Sequence, residues 1–310
     1  MSKAIYQVKN WPEYNEALVK RGDLTFWLNA SVLAEWKQSE PTGKPGRPKT
    51  FSDSAVECML ALRSIFRLPL RGTEGLMRSL FALLGVATEV PTFATLSRRQ
   101  GRLTIDLGAI PSGEPIHLLV DSTGLKVFGE GEWKVRQHGI GKRRAWRKLH
   151  LGVDAKTRQI VSVELTDKDT ADSQVLPRML ASIQCEIEKV GADGAYDTWK
   201  CRYAIHQRGA SAVIPPRQDA VLSDRDHPAA KERNEAIEHR DGWGDKHWKK
   251  ESGYHARSLV ETAMFQVKTT FGAETQAREI QNQIAEAVMK SKILNTFIQQ
   301  GLPETIKITN

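Results

Sequence analysis

A chain of 310 residues is long enough for one large domain or two to three smaller ones, which excludes a peptide-scale module. Its 45 Lys and Arg against 37 Asp and Glu give a formal charge of +8, which favours a polyanionic partner such as nucleic acid without separating DNA from RNA. No stretch approaches the ~20 apolar residues of a membrane span, the start has no apolar signal core, and Cys58, Cys185 and Cys201 are too scattered for a disulfide framework or a zinc module; the expectation is a soluble intracellular protein with no membrane partner.

Residues 1–50 read as an N-terminal segment that ends in a Pro-, Gly- and basic-rich linker over 41–50, where neither helix nor strand can be sustained. Within it, Gly46-Arg47-Pro48-Lys49 is a spacer with the composition of an arm that lies in a minor groove. Ser52 and Ser54 offer N-caps to an apolar-periodic helix over 55–66; a second helix is predicted over 73–84, and a third opens at Thr92 and reaches Arg98, Arg99 and Gln100. From Pro41 to Arg102 ten Lys and Arg face four Asp and Glu. This suits a helix-turn-helix over 51–114 whose third helix presents Arg98 and Arg99 to DNA.

After Pro115 the pattern changes to strands. Ile116–Val120 is an apolar run ending at Asp121; strands over 148–153 and 159–165, joined by a turn that begins at Asp154, complete an antiparallel meander. A helix over 174–183, a short strand over 190–192 delivering Asp193, a helix over 198–207, a strand over 212–214 and a charged loop over 216–250 follow. This order predicts an α/β fold: a ribonuclease-H-like mixed-sheet catalytic core over 115–275, preceded by the all-α DNA-binding region and followed by a C-terminal helix and tail over 276–310. Trp243 and Trp248, near the end of the charged loop, pack on the core or stack on an unpaired base.

On a helix turning ~100° per residue, Tyr254, Arg257, Glu261 and Lys268 fall within a stripe about 60° wide, a face suited to a phosphodiester backbone beside a metal. Asp121 and Asp193, at strand ends, supply two further carboxylates. Three carboxylates brought together repel one another without cations, and an oxygen-only set suits Mg2+ or Mn2+. Two such ions ~3.5–4 Å apart clamp the attacking and leaving oxygens of an in-line displacement. Between the first two carboxylates, residues 126–150 carry eight basic and two acidic side chains. They include Lys142, Arg143, Arg144 and Arg147, which are placed to hold DNA phosphates.

Asp121-Ser-Thr-Gly-Leu-Lys, Trp133 with the run Lys142-Arg-Arg-Ala-Trp-Arg-Lys-Leu-His-Leu, Asp193-Gly-Ala-Tyr-Asp, and Tyr254-x2-Arg257-x3-Glu261-x6-Lys268 together resemble the DDE transposases of bacterial insertion sequences, specifically insertion-sequence family five. Asn10-Trp11-Pro12-Glu13-Tyr14 and Leu24-Thr25-Phe26-Trp27 extend the resemblance over nearly the whole chain. The resemblance implies that Asp121, Asp193 and Glu261 bind two Mg2+ ions, with Mn2+ able to substitute, and cut and join double-stranded DNA. It further implies terminal inverted repeats and target DNA as partners, a homodimer or larger assembly in the synaptic complex, a cytoplasmic, nucleoid-associated bacterial setting, and no large insertion domain between Asp193 and Glu261. Two other readings use the same residues: a metal-dependent nuclease that does not join, and a catalytically silent DNA-binding protein derived from a transposase.

Overall fold

The structure is a computed structural model that describes residues 5–37, 50–109, 113–127 and 146–308. The basic segment 46–49, Trp133, Lys142, Arg143 and Arg144 lie outside the described residues. The chain divides into two compact units, residues 1–106 with 292–310, and residues 107–291. No helix among the described residues is long and apolar enough to cross a membrane.

The first unit opens with β1 (Ile5–Val8), whose antiparallel partner is the last strand of the chain, Thr305–Ile308. Three short helices follow, α1 (Trp11–Lys20), α2 (Leu24–Trp27) and α3 (Ala30–Ala34), the last two capped by the side chains of Asp23 and Asn29. Ser52 then caps α4 (Asp53–Ile65) by accepting the Ala55 N–H at 2.9 Å, and Thr92 does the same for Thr95 at the start of α6 (Phe93–Gln100). Between them, α5 (Leu70–Leu83) sends Glu74 to accept the Phe93 N–H at 2.7 Å, which ties the entry of α6 to its neighbour. Trp36, Met59, Leu62, Met77, Phe81 and Leu96 fill the centre, with Trp36 and Phe81 ring centroids 4.8 Å apart.

The second unit is built on a mixed sheet. β2 (Ile116–Val127), β3 (Trp146–Asp154) and β4 (Ile160–Asp167) form the antiparallel meander, and β5 (Ile187–Gly191) and β6 (Ser211–Val213) add in parallel on the other side of β2. Asp121 does not end its strand as its sequence position suggested. β2 runs six residues further because its ladder with β3 continues to Lys126 opposite Trp146. On the β5 side, however, pairing stops at Leu119, and a two-residue strand, β7 (Glu274–Thr275), resumes it only at Lys126. Asp121 therefore lies in a mid-strand gap in the sheet.

Alternation along β2 sorts its side chains. Leu118 and Val120 join the core beneath α7 (Asp172–Ser182), while Asp121 and Thr123 point to the opposite face. Gly152 on β3 leaves room for the side chains of the strands on either side, since a Cβ there would stand 3.1 Å from Leu118 Cδ1 and 3.2 Å from Ser162 Cβ. Pro177 lies inside α7 and cannot donate to the Ser173 carbonyl one turn back; the Cys201 thiol donates to that oxygen at 3.2 Å instead. Cys201 belongs to α8 (Trp199–Gln207), N-capped by Thr198. It is buried like Cys58, with Cys185 half-buried and all three free.

The stretch 216–250, expected to be a loop, contains two helices, α9 (Pro228–Trp243) and α10 (Asp245–Glu251). Of α9 only Ala229, Ala230 and Ile237 are buried, so it lacks the apolar stripe by which a helix is recognised. His227 caps it and Pro228 opens it. A one-turn 3-10 helix (Tyr254–Arg257) leads directly into α11 (Ser258–Phe271), and α12 (Ile280–Gln300) carries the chain from the second unit into the first.

Candidate active site

The sheet register sets the spacing of the first two carboxylates. Leu119 pairs with Gly191 across parallel β2 and β5, and two residues further along each chain stand Asp121 and Asp193. Pairing ends at Leu119 and Gly191, so Asp121 continues along β2 while Asp193 leaves the sheet at the end of β5, near enough for its charge to act on Asp121. Asp121 Oδ1 accepts the Ser122 N–H at 2.8 Å. Asp193 caps the one-turn 3-10 helix Gly194–Tyr196 through Oδ1, which accepts the Ala195 N–H at 2.9 Å. Both carboxylates keep a second oxygen for other partners.

Glu261 comes from the first turn of α11, whose buried side chains Val260, Ala263, Met264, Val267 and Phe271 follow the spacing of a helix packed on one side. Arg257, one turn earlier, links the two elements: Nη1 donates to Asp121 Oδ2 at 2.6 Å and Nη2 to Glu261 Oε1 at 2.5 Å. Tyr254 lies on the 3-10 turn rather than on a continuous α-helix, and the tighter winding sets its ring under the guanidinium, 5.7 Å from centroid to Cζ. Two turns beyond Glu261, Lys268 Nζ donates to Thr123 Oγ1 at 2.5 Å. Burial lowers the proton affinity of that amine.

The electrostatics report one shared field. Burial pushes the Asp121 carboxyl above the usual range, and the charges of Asp193 and Glu261 push it the same way; the Ser122 N–H and Arg257 pull it back. Beneath them the Tyr196 hydroxyl is buried without a hydrogen-bond partner among the described residues. A half-buried carboxylate with two others in its field wants a cation, and a single guanidinium already reaches both Asp121 and Glu261. The donors are hard oxygens, so the residues present fit a divalent Mg2+-class ion.

Of the residues expected on sequence grounds, Asp121, Asp193, Tyr254, Arg257, Glu261 and Lys268 all belong to this one neighbourhood of the second unit. Arg147 is differently occupied. It forms an ion pair with Asp167 and donates to Gln283 at 2.9 Å, so its guanidinium joins β3 to β4 and α12. Arg98 and Arg99 lie on α6 of the first unit: Arg98 is exposed, while Arg99 donates to the Phe51 carbonyl at 2.6 Å and pairs with Asp53. Asp154, set aside as a turn residue, is buried and accepts from the backbone of Lys156 and Thr157. Thr123 was missed, although period-two alternation from Asp121 puts it on the same face.

An antiparallel meander extended by parallel strands, with one acidic side chain within the central strand, one just past the end of its parallel neighbour and one on a helix, is consistent with a ribonuclease-H-like DDE core. Two family models, both described as transposase DDE domain, match residues 19–130 and 112–295. The second alone spans more than half of the chain, which therefore belongs to the DDE transposase family. Domains of this family are generally dependent on divalent metal.

Proposed function

We propose that this protein is the transposase of an insertion sequence of family five, and that it binds the terminal inverted repeats, cleaves the element ends and joins the freed 3′ hydroxyls to target DNA. The observation that carries the reading is the Arg257 clamp on Asp121 and Glu261 beside the register-matched Asp193. In this reading Asp121, Asp193 and Glu261 would hold two Mg2+ ions. When bound, the ions supply Lewis-acid stabilisation to the attacking and leaving oxygens of an in-line phosphoryl displacement.

The chain's own residues do the rest. Arg257 hands its two donors from the carboxylates to phosphate oxygens as DNA arrives, keeping a bidentate geometry throughout. Lys268, held by Thr123 on the same face of β2, supplies a second positive point along the backbone. Tyr254 supports Arg257 from below and offers a ring to the flanking nucleotide. Helices α4 to α6 act as a helix-turn-helix in which exposed Arg98 reaches DNA. Pairing two element ends requires at least two copies of the chain in the synaptic complex.

The test is an Mg2+-dependent cleavage and joining assay on the DNA flanking the reading frame. Asp121→Asn, Asp193→Asn and Glu261→Gln are each expected to lose on the order of 100-fold or more in cleavage rate while still binding the ends. Unchanged cleavage in Glu261→Gln would sink the site assignment. Failure to join a pre-cut 3′ hydroxyl end, with cleavage intact, would reduce the protein to a nuclease. No Mg2+-dependent cleavage by the unsubstituted protein, with ends still bound, would leave a silent DNA-binding protein.

A further inference from the structure

His239, in the last turns of α9, and His247 and Glu251, one turn apart on α10, converge across the Gly244 joint. Gly244 has φ 88°, a conformation that a side chain resists, and it turns the chain so that the two helices face each other. One ligand atom from each of the three residues lies within 4.8 Å of the others. His239 Nε2 stands 3.0 Å from His247 Nδ1 and 3.9 Å from Glu251 Oε2, and His247 Nε2 stands 3.6 Å from Glu251 Oε1. One ion takes a single nitrogen of each ring: His239 Nε2 with His247 Nδ1 at 3.0 Å and with Glu251 Oε2 at 3.9 Å give two edges near the ~3.3 Å edge of a coordination tetrahedron with metal–ligand distances of ~2.0–2.1 Å, while His247 Nε2 is the nitrogen that does not bind.

We propose that His239, His247 and Glu251 form a second metal site, separate from the carboxylate cluster and selective for a zinc-class transition metal. Two imidazole nitrogens and one carboxylate oxygen are a borderline donor set that discriminates against Mg2+, which prefers oxygen alone. Three protein ligands with partly exposed side chains leave the fourth position to water. Binding replaces the hydrogen bond between the imidazoles; the donor ring moves its proton to its other nitrogen, with no net proton change. Trp243 stacks on His247 at 5.6 Å and 27°, fixing the ring plane.

The site clips α10 to α9. From α10, buried Trp248 packs against Tyr254 with ring centroids 6.0 Å apart, and Lys249 Nζ lies 5.7 Å from the Tyr254 centroid. A metal at the clip therefore braces the segment that carries Tyr254 and Arg257.

The experiment titrates untagged, metal-stripped full-length protein with Co2+ in excess Mg2+, which occupies oxygen-only sites. One Co2+ per chain with visible d–d bands, displaced by Zn2+, is expected. His239→Gln and His247→Gln should each weaken binding by at least 10-fold, roughly the effect of losing even an outer-shell partner. Asp121→Asn should leave the stoichiometry unchanged. Absence of the bands, equal affinity in the His variants, or loss of binding in Asp121→Asn alone would overturn the proposal. Should a His variant not fold, the unsubstituted protein still decides the matter: Zn2+ protects His239 and His247 from acylation by diethyl pyrocarbonate if they are ligands and leaves them reactive if they are not.

Discussion

His150 sits in the middle of β3 with its side chain fully buried, Nε2 against Thr166 Oγ1 at 2.9 Å and Nδ1 without a hydrogen-bond partner among the described residues. Burial holds its proton affinity down, to a pKa of about 4; Lys148 and Arg178 act in the same direction, and Asp172 opposes them. The folded value is below the unfolded one. Between about pH 6.5 and about pH 4 the unfolded chain therefore binds a proton that the folded chain refuses, and stability falls as pH falls through that window. The loss attributable to this one group is on the order of 3 kcal/mol by pH 4. Urea unfolding at pH 7.5 and pH 4 should show a drop larger by about that amount in the unsubstituted protein than in His150→Leu. Equal drops in the two would remove His150 from the account. The same residue-scale view explains Lys268, the signature member with the least obvious task in sequence. Its partner Thr123 is identified only once strand alternation is counted from Asp121.

Asp197 follows the turn that Asp193 caps and joins three elements that share no ladder. It is fully buried; Arg202 of α8 donates to it at 2.7 Å, Arg233 of α9 at 3.1 Å, and Arg202 also reaches the Ile214 carbonyl at 3.0 Å. Although burial alone would raise its proton affinity, Arg233 and Arg202 hold the carboxyl below its usual range. Asp197→Ala would leave one buried and one half-buried guanidinium uncompensated and is expected to cost ~3–5 kcal/mol in thermal or urea unfolding. A cost under ~1 kcal/mol would show that α9 is held by other means. This tie also accounts for what the sequence left unread. Strands β2 to β6 and helices α4 to α8 announce themselves through period-two runs, apolar stripes and hydroxyl caps. α9 is held by Arg233 and a few small buried residues, which produce no periodic signal. The length of β2 was hidden for a related reason: its continuation past Asp121 depends on a ladder with β3, a long-range contact that local pattern does not encode.

At the scale of the molecule, the excess of positive charge is concentrated in residues 41–102 and 126–150, but the structure divides that charge into two kinds. Arg99 and Arg147 are held by Asp53 and Asp167, and their removal costs packing as well as charge. Lys142, Arg143 and Arg144 belong to the stretch 128–145, outside the described residues. Each phosphate contact contributes about 0.9 to the slope of log K against log salt concentration, and six contacts would weaken binding about 10³-fold between 50 and 200 mM salt. Replacing Lys142, Arg143 and Arg144 together by Ala should therefore lower the slope by about 2.7 if all three neutralise phosphates. Arg147→Ala should leave the slope unchanged and instead lower the melting temperature, because its charge is already neutralised by Asp167 and one of its N–H groups is taken by Gln283. The measurement is a fluorescence-anisotropy titration of DNA at several salt concentrations for the unsubstituted protein and both variants. A slope that drops for Arg147→Ala but not for the triple variant would reverse the division, placing the DNA contact at the strand end and leaving the Lys142-Arg143-Arg144 run without a phosphate.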